Sequence, residues 1–269
     1  MAATIDRRAG RRARADELVV RLGLATDVAT ARAMILAGEV WREAERIEKP
    51  GRVLPAAARL ERHPRRAHAS RAGSKLAGAL DDLAVPVTSR RCLDIGASTG
   101  GFTDCLLSRG AAHVTALDVG RGLLDARLRN DPRVSAIDSV NARSLAPDDF
   151  PLPFALVTVD VSFISLTAIV PALPALLDRT ARPSPDILLL VKPQFEAPRR
   201  SVPRGGVVRD SAVAMDAIAR VGASAASAGL IVLGSAPSRV KGAGGNQEHF
   251  LRLALPTAGS PCGPRAEMT

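Results

Sequence analysis

Two lysines and two carboxylates stand where the chain could position a hydroxyl and take its proton: Lys75, Asp160, Lys192 and Glu248. Asp160 closes one apolar run and Lys192 closes the next. In a parallel sheet both would stand at the carboxyl ends of their strands, where such sheets bind ligands. A last strand running antiparallel would begin on the same rim and bring Glu248 there, and Lys75 lies on the helix before the first strand. Taken singly, each of the four reads as a surface ion-pair residue. Composition adds weight, because the basic residues are 33 arginines and only four lysines. Lysine at 75 and 192 points to a need for a titratable ammonium, since guanidinium stays protonated. Lys192 is the candidate general base. Lys75 and burial would lower its pKa, and Asp160 would oppose that while holding it in place.

The same rim carries a glycine loop, RCLDIGASTGG at 91–101. A short apolar strand ends in Asp94 and Gly96, Gly100 and Gly101 follow, and Phe102 opens an apolar-periodic segment. Glycine permits a tight turn and close approach of backbone N–H groups to a ligand. A second strand, HVTALD at 113–118, ends in Asp118, placed to bond the ribose hydroxyls of an adenosine cofactor. The spacing G-x-x-x-G-G departs from the dinucleotide pattern. An acid two residues before the first glycine favours S-adenosylmethionine (SAM), with Asp94 near the cationic methionine end. The candidate cofactor set is therefore Asp94, Gly96, Ser98, Gly100, Gly101, Asp118, Val119, Asp138 and Asn141, with Asp138 or Asn141 facing the adenine.

These positions require an alternating chain. Strands are predicted at 91–95, 113–118, 134–137, 155–160, 187–192, 230–233 and 249–255. Helices are predicted at 70–83 (with Ser70 as cap), 102–109, 123–129, 165–177 and 211–228. That order gives an α/β, doubly wound, Rossmann-like sheet over 70–255, with the SAM loop after its first strand. In front, 14–62 reads as a small α+β domain. Its helices carry Leu18, Val19, Leu22 and Ala31, Ile35, Leu36, and end at Gly23 and Gly38. Val40, Ile47, Val53 and Leu60 supply short strands, with a turn at 49–51. Residues 1–13 read as a basic arm, 63–69 as a linker and 256–269 as a frayed tail.

Net charge is +10, of which residues 1–75 hold +8. A basic front before a near-neutral body points to an anionic partner, nucleic acid first. Cys92, Cys105 and Cys262 form no C-x-x-C pair, and the four histidines show no metal-ligand spacing, so neither a disulfide framework nor a metal is expected. The apolar stretch 154–177 contains Asp160, Pro171 and Pro174 and splits into strand and helix rather than a membrane span. The N-terminal residues lack the apolar run of a signal peptide, which leaves a cytoplasmic protein expected.

Two resemblances sharpen this. The pattern R-x-D-E-L, A-x-x-x-I-x-x-G-x-V and K-P-G in 14–51 resembles the small RNA-binding domain first described in small-subunit ribosomal protein four. Val28 stands where that family often has arginine, and Trp41-Arg42-Glu43 replaces its usual strand and Asn-Gly turn. Further on, SRAGSKLAGAL, LDIGASTGGFTDCLL, VDVSFISL, LLVKPQFE, GGVVRD and GNQEHFLRL resemble the TlyA family of rRNA 2′-O-methyltransferases, whose catalytic half is similar to the FtsJ group. The resemblance implies methyl transfer from SAM to a ribose 2′-hydroxyl, often of cytidine, in the RNA of ribosomal subunits. It maps the group's Lys-Asp-Lys-Glu set onto Lys75, Asp160, Lys192 and Glu248, with Glu248 orienting Lys75 or the ribose. Three other readings compete. A base N-methyltransferase would want Asn/Asp-Pro-Pro-aromatic where this chain has Asp160-Val161-Ser162-Phe163. The family's haemolysin label raises a membrane-active protein. A ribosome-assembly RNA-binding factor without catalysis would not need the four groups.

Overall fold

The computed structural model describes residues 12–36, 39–43, 45–62 and 70–256. Most of the expected basic arm, Gly38, the expected linker with His63 and His68, and nearly all of the expected tail with Cys262 lie outside the described residues. The chain divides into two compact units, Met1–Arg66 and Ala67–Thr269.

In the first unit β1 (Arg12–Arg14) leads into α1 (Ala15–Arg21) and α2 (Val28–Leu36). There follow β2 (Val40–Arg42), β3 (Glu45–Arg46), β4 (Val53–Pro55) and β5 (Glu61–Arg62). β1 pairs with β4, and β2 lies between β3 and β5. Leu18, Val19, Ala31, Ile35, Val40, Ile47 and Leu60 form the core, whereas Leu22, Leu36 and Val53 are exposed. Leu22 caps α1 beyond its last full turn, and the period of two in β4 turns Leu54 inward in place of Val53. The 41–43 departure does not remove the strand. Trp41 and Arg42 pair with Arg46 and Glu45, and Glu43 makes the turn at φ 55°. Asp16 is buried between Arg14 and Arg32 at 2.8 and 2.9 Å, and these guanidiniums hold its carboxyl well below the usual range.

The second unit runs α3 (Arg71–Asp82), β6 (Arg91–Ile95), α4 (Gly101–Ser108), β7 (His113–Asp118), α5 (Ala126–Arg129), β8 (Val134–Asp138) and β9 (Leu156–Val159). It continues with β10 (Asp186–Val191), α6 (Pro193–Glu196), α7 (Ser211–Ser227), β11 (Ile231–Pro237) and β12 (His249–Ala254). Its seven strands lie in the order β11-β12-β10-β9-β6-β7-β8. β12 is antiparallel to both neighbours, and the other pairs are parallel. Strands covered on both faces must be apolar on both, and every residue of β9 and β10 is buried. Alternation sends Ile187, Leu189 and Val191 toward α7, and Leu188 and Leu190 toward α3 and α4. Ser70 caps α3 by accepting from Ala72 N.

Two expected helices come out differently. Residues 165–177 form 3₁₀ turns, Leu166–Ala168 and Val170–Leu176, rather than an α-helix. Pro171 and Pro174 supply no N–H, and the buried residues Val170, Leu173 and Leu176 repeat every three, the 3₁₀ period. The helix expected at 123–129 begins only after Asp125, whose carboxylate accepts from Arg127 N. Among the described residues no helix is long and apolar enough to cross a membrane.

At the amino ends of the strands, Asp186 is 2 % exposed and binds Arg90 and Arg252, each at 2.7 Å. Removing the acid would strand a buried guanidinium, which costs far more than losing an exposed pair. Asp186→Ala is expected to lose about 3–5 kcal/mol in urea denaturation. A loss below about 1 kcal/mol would mean the network does not hold the sheet.

Candidate active site

The carboxyl ends of β6, β7, β9 and β10 and the amino end of β12 form one rim. β10 and β12 pair Val191 with His249, so Lys192 and Glu248 are the next residues outward on neighbouring strands. Asp160 follows β9 directly. The four groups stand as two ion pairs: Lys192 Nζ lies 2.5 Å from Asp160 Oδ1, and Lys75 Nζ lies 2.6 Å from Glu248 Oε2. Their side chains are 2–14 % exposed, so both pairs are largely withdrawn from water. Lys192 Nζ also donates to Ser162 Oγ at 3.0 Å. Glu248 is covered by Gly242, where a Cβ would collide with its carboxylate.

Beside Asp160 lies a cavity of about 490 Å³ lined by Gly96, Ser98, Asp118, Val119 and Asn141 from the candidate set, with Leu117, Leu123 and Val140 as apolar wall. That size suits a small-molecule cofactor. Gly96 is the glycine the loop needs for close approach: φ is +84°, and a Cβ would strike the Asp160 carbonyl. The Asp118 carboxylate accepts from Ser98 N at 2.8 Å and Gly120 N at 2.7 Å. It thereby ties the two loops, and each oxygen keeps a second lone pair for a ribose hydroxyl. An acid for a ribose diol and apolar walls for a purine fit an adenosyl cofactor.

Four members of the candidate cofactor set are not on the cavity wall. Asp94 is fully buried, accepting from Thr103 Oγ1 at 2.7 Å and Thr158 Oγ1 at 3.3 Å. On β6 it shares the face of Cys92, which points toward α4. Burial, with the nearby Asp160 charge adding, pushes its carboxyl up to about 7. Gly100 and Gly101 serve packing: a Cβ at Gly100 would meet Leu128 and Leu124, and one at Gly101 would meet Ser70 Oγ. Asp138 is engaged by Arg129 at 3.1 Å and by Gly122 N.

Residues that the sequence reading did not single out complete the site. Ser162 reaches Lys192. Phe163, 89 % exposed at φ 64°, lines the cavity and packs on Phe195 with ring centroids 5.1 Å apart. Buried Glu196 accepts from Ser165 Oγ at 2.6 Å and Leu166 N at 2.8 Å, and so holds the far end of the 160–166 segment. The motifs VDVSFISL and LLVKPQFE contain all three, but only the folded chain brings them face to face.

A family model described as FtsJ-like methyltransferase matches residues 68–255. The chain is 44 % identical to the 16S/23S rRNA (cytidine-2′-O)-methyltransferase TlyA of Mycobacterium tuberculosis, over 92 % of this chain and 91 % of that protein. It is 37 % identical to Hemolysin A of Brachyspira hyodysenteriae, over 90 % of this chain and 100 % of that protein. A solved hemolysin-named chain from Streptococcus thermophilus matches with a TM-score of 0.68 at 36 % identity, covering 91 % of this chain and 88 % of that one.

Asp94 gives a pH signature. Its folded pKa, about 7, lies above the unfolded value of about 3.9. Its contribution is therefore intact below about pH 4 and is lost as pH rises to about 7. Asp94→Asn should gain stability relative to the parent across that interval, with the difference levelling off above about pH 8. Melting temperatures against pH read this directly, and a constant difference would contradict it.

Proposed function

The chain belongs to the FtsJ-like methyltransferases, in the TlyA family, and on that premise we propose that it methylates a cytidine ribose 2′-hydroxyl of ribosomal RNA. The substrate is the RNA within ribosomal subunits, which places the activity in the cytoplasm. The observation that carries this reading is the double ion pair, Lys192–Asp160 and Lys75–Glu248, beside the glycine-loop cavity.

A ribose hydroxyl is a weak nucleophile. SAM, when bound, supplies an activated sulfonium methyl. The chain's own residues hold the hydroxyl in line and remove its proton. Lys192 Nζ is placed to take that proton as the methyl passes from the sulfonium sulfur to the oxygen, and to release it to water. Asp160 and Ser162 fix the position of that amine from two sides. Lys75, on α3 and held by Glu248 at the entry to β12, presents a cation to the ribose. Gly96, Ser98, Asp118, Val119 and Asn141 hold the cofactor, Asp118 through the ribose. Phe163 offers an exposed aromatic face on which an unstacked base can lie. The four polar groups favour an enzyme over an assembly factor without catalysis, and Val161-Ser162-Phe163 lacks the prolines of a base N-methyltransferase loop. In the first unit, 12–62 with its helix pair and short strands acts as the RNA-binding module.

Lys192→Ala is expected to lower kcat by about 10²–10⁴ with SAM affinity within a few-fold of the parent. Lys192→Arg should be as inactive, because guanidinium does not deprotonate near neutral pH. Labelled-methyl transfer to ribosomal subunits and calorimetry with SAM measure the two quantities. An active arginine variant would mean that position 192 supplies charge alone.

A further inference from the structure

The second unit is close to neutral on average, yet its charge is not evenly spread. Between α6 and α7, residues 199–209 hold Arg199, Arg200, Arg204 and Arg209 with no acid among them. All four are exposed, and none of their side chains makes a hydrogen bond or ion pair among the described residues. This sets them apart from Arg90, Arg109, Arg127, Arg129, Arg133, Arg239 and Arg252, each of which meets a carboxylate. The next acid, Asp210, is occupied in capping α7 at Ala212 N. Four like charges in eleven residues, with no acid among them, repel one another, a cost that an anion would relieve.

The segment is also held in place. Pro198 opens a 3₁₀ turn, Arg199–Ser201, a few residues after Lys192. Buried Asn246 accepts from Val208 N at 2.8 Å and donates to Gly206 O at 2.9 Å. Asn246 stands two residues before Glu248. One end of the arginine segment is therefore continuous with Lys192, and its middle is pinned to the strand entry that carries Glu248. A pinned loop loses little freedom when a ligand docks.

We propose that Arg199, Arg200, Arg204 and Arg209 form a phosphate clamp that seats the RNA strand flanking the target nucleotide on the catalytic rim. The inference rests on the reading of the chain as an rRNA 2′-O-methyltransferase. Guanidinium forks match phosphate oxygens in two-point contacts, and such contacts fix position without reading sequence. The clamp makes the catalytic unit an RNA-binding surface in its own right.

The test uses the full chain and ribosomal subunits. Arg199→Gln/Arg200→Gln should weaken binding roughly tenfold near 0.1 M salt and lower the slope of log K against log salt by about 1–2. The quadruple glutamine variant should do more, with SAM affinity unchanged in both. Arg133→Gln/Arg179→Gln removes the same charge from the opposite rim, before β8 and β10, and should leave the slope near the parent's. Equal weakening by the two double variants would reduce the effect to net charge and overturn the clamp, as would no weakening by either. A quadruple variant that kept its RNA affinity but lost attachment to anionic phospholipid vesicles would assign the arginines to a membrane surface and overturn it too. A parent protein that binds subunits but transfers no methyl group would instead contradict the functional reading on which the clamp depends.

Discussion

Placing two lysines and two carboxylates side by side, out of water, at the open end of a sheet is the constraint on which the rest of this molecule depends. Withdrawing each charge costs several kcal/mol, and only a close partner offsets that. Lys192 and Asp160 sit 2.5 Å apart because adjacent parallel strands end together, and Lys75 and Glu248 sit 2.6 Å apart because the last strand enters where the others leave. Sheet order therefore does the electrostatic work. β10, apolar from Ile187 to Val191, fixes the height of Lys192. Gly96 lets the glycine loop press against the Asp160 carbonyl, so the cofactor cavity and the ion pairs share a wall.

Much of this was legible in the residues. Strand ends marked by Asp118, Asp160 and Lys192 are visible because an apolar run stops at a charge, and parallel topology puts such stops on one rim. Glu248 needed one further assumption, an antiparallel last strand, and β12 meets it. Asp94 was misplaced by proximity to the glycine loop, although the period of two already turns it toward α4 with Cys92. The helix expected at 165–177 overlooked that Val170, Leu173 and Leu176 repeat every three around two prolines. Of the two residues read as facing the adenine, Asn141 lines the cavity, while Asp138 is taken by Arg129, nine residues back in the chain. Ser162 and Glu196 act across tertiary contacts that no local pattern encodes. In the first unit, Glu43 enters its turn at φ 55°, where the resembling family usually has Asn-Gly.

Charge averages also concealed something. A front segment holding most of the net charge points to an anionic partner there, and the near-neutral average behind it hides how charge is spread. Several arginines of the catalytic unit meet carboxylates, while the four in 199–209 stand exposed with no acid among them. Paired arginines hold helices and strands together, as Arg90 and Arg252 do at Asp186. The four on the pinned loop are open to something outside the chain. On the proposed reading binding and chemistry share a face, and Glu196 and Phe195 hold the 160–166 segment beside the catalytic groups.

The central claim is that this rim methylates a ribose oxygen and not a base, and the product itself decides it. Ribosomal subunits lacking the modification, incubated with the protein and methyl-labelled SAM, can be digested to nucleosides and the label located. Alkali cleaves RNA through a free 2′-hydroxyl, so a 2′-O-methylated site resists it. The account predicts label on the ribose of cytidine in an alkali-resistant dinucleotide, abolished by Lys192→Ala. Label recovered on a nucleobase, in alkali-sensitive RNA, would contradict it.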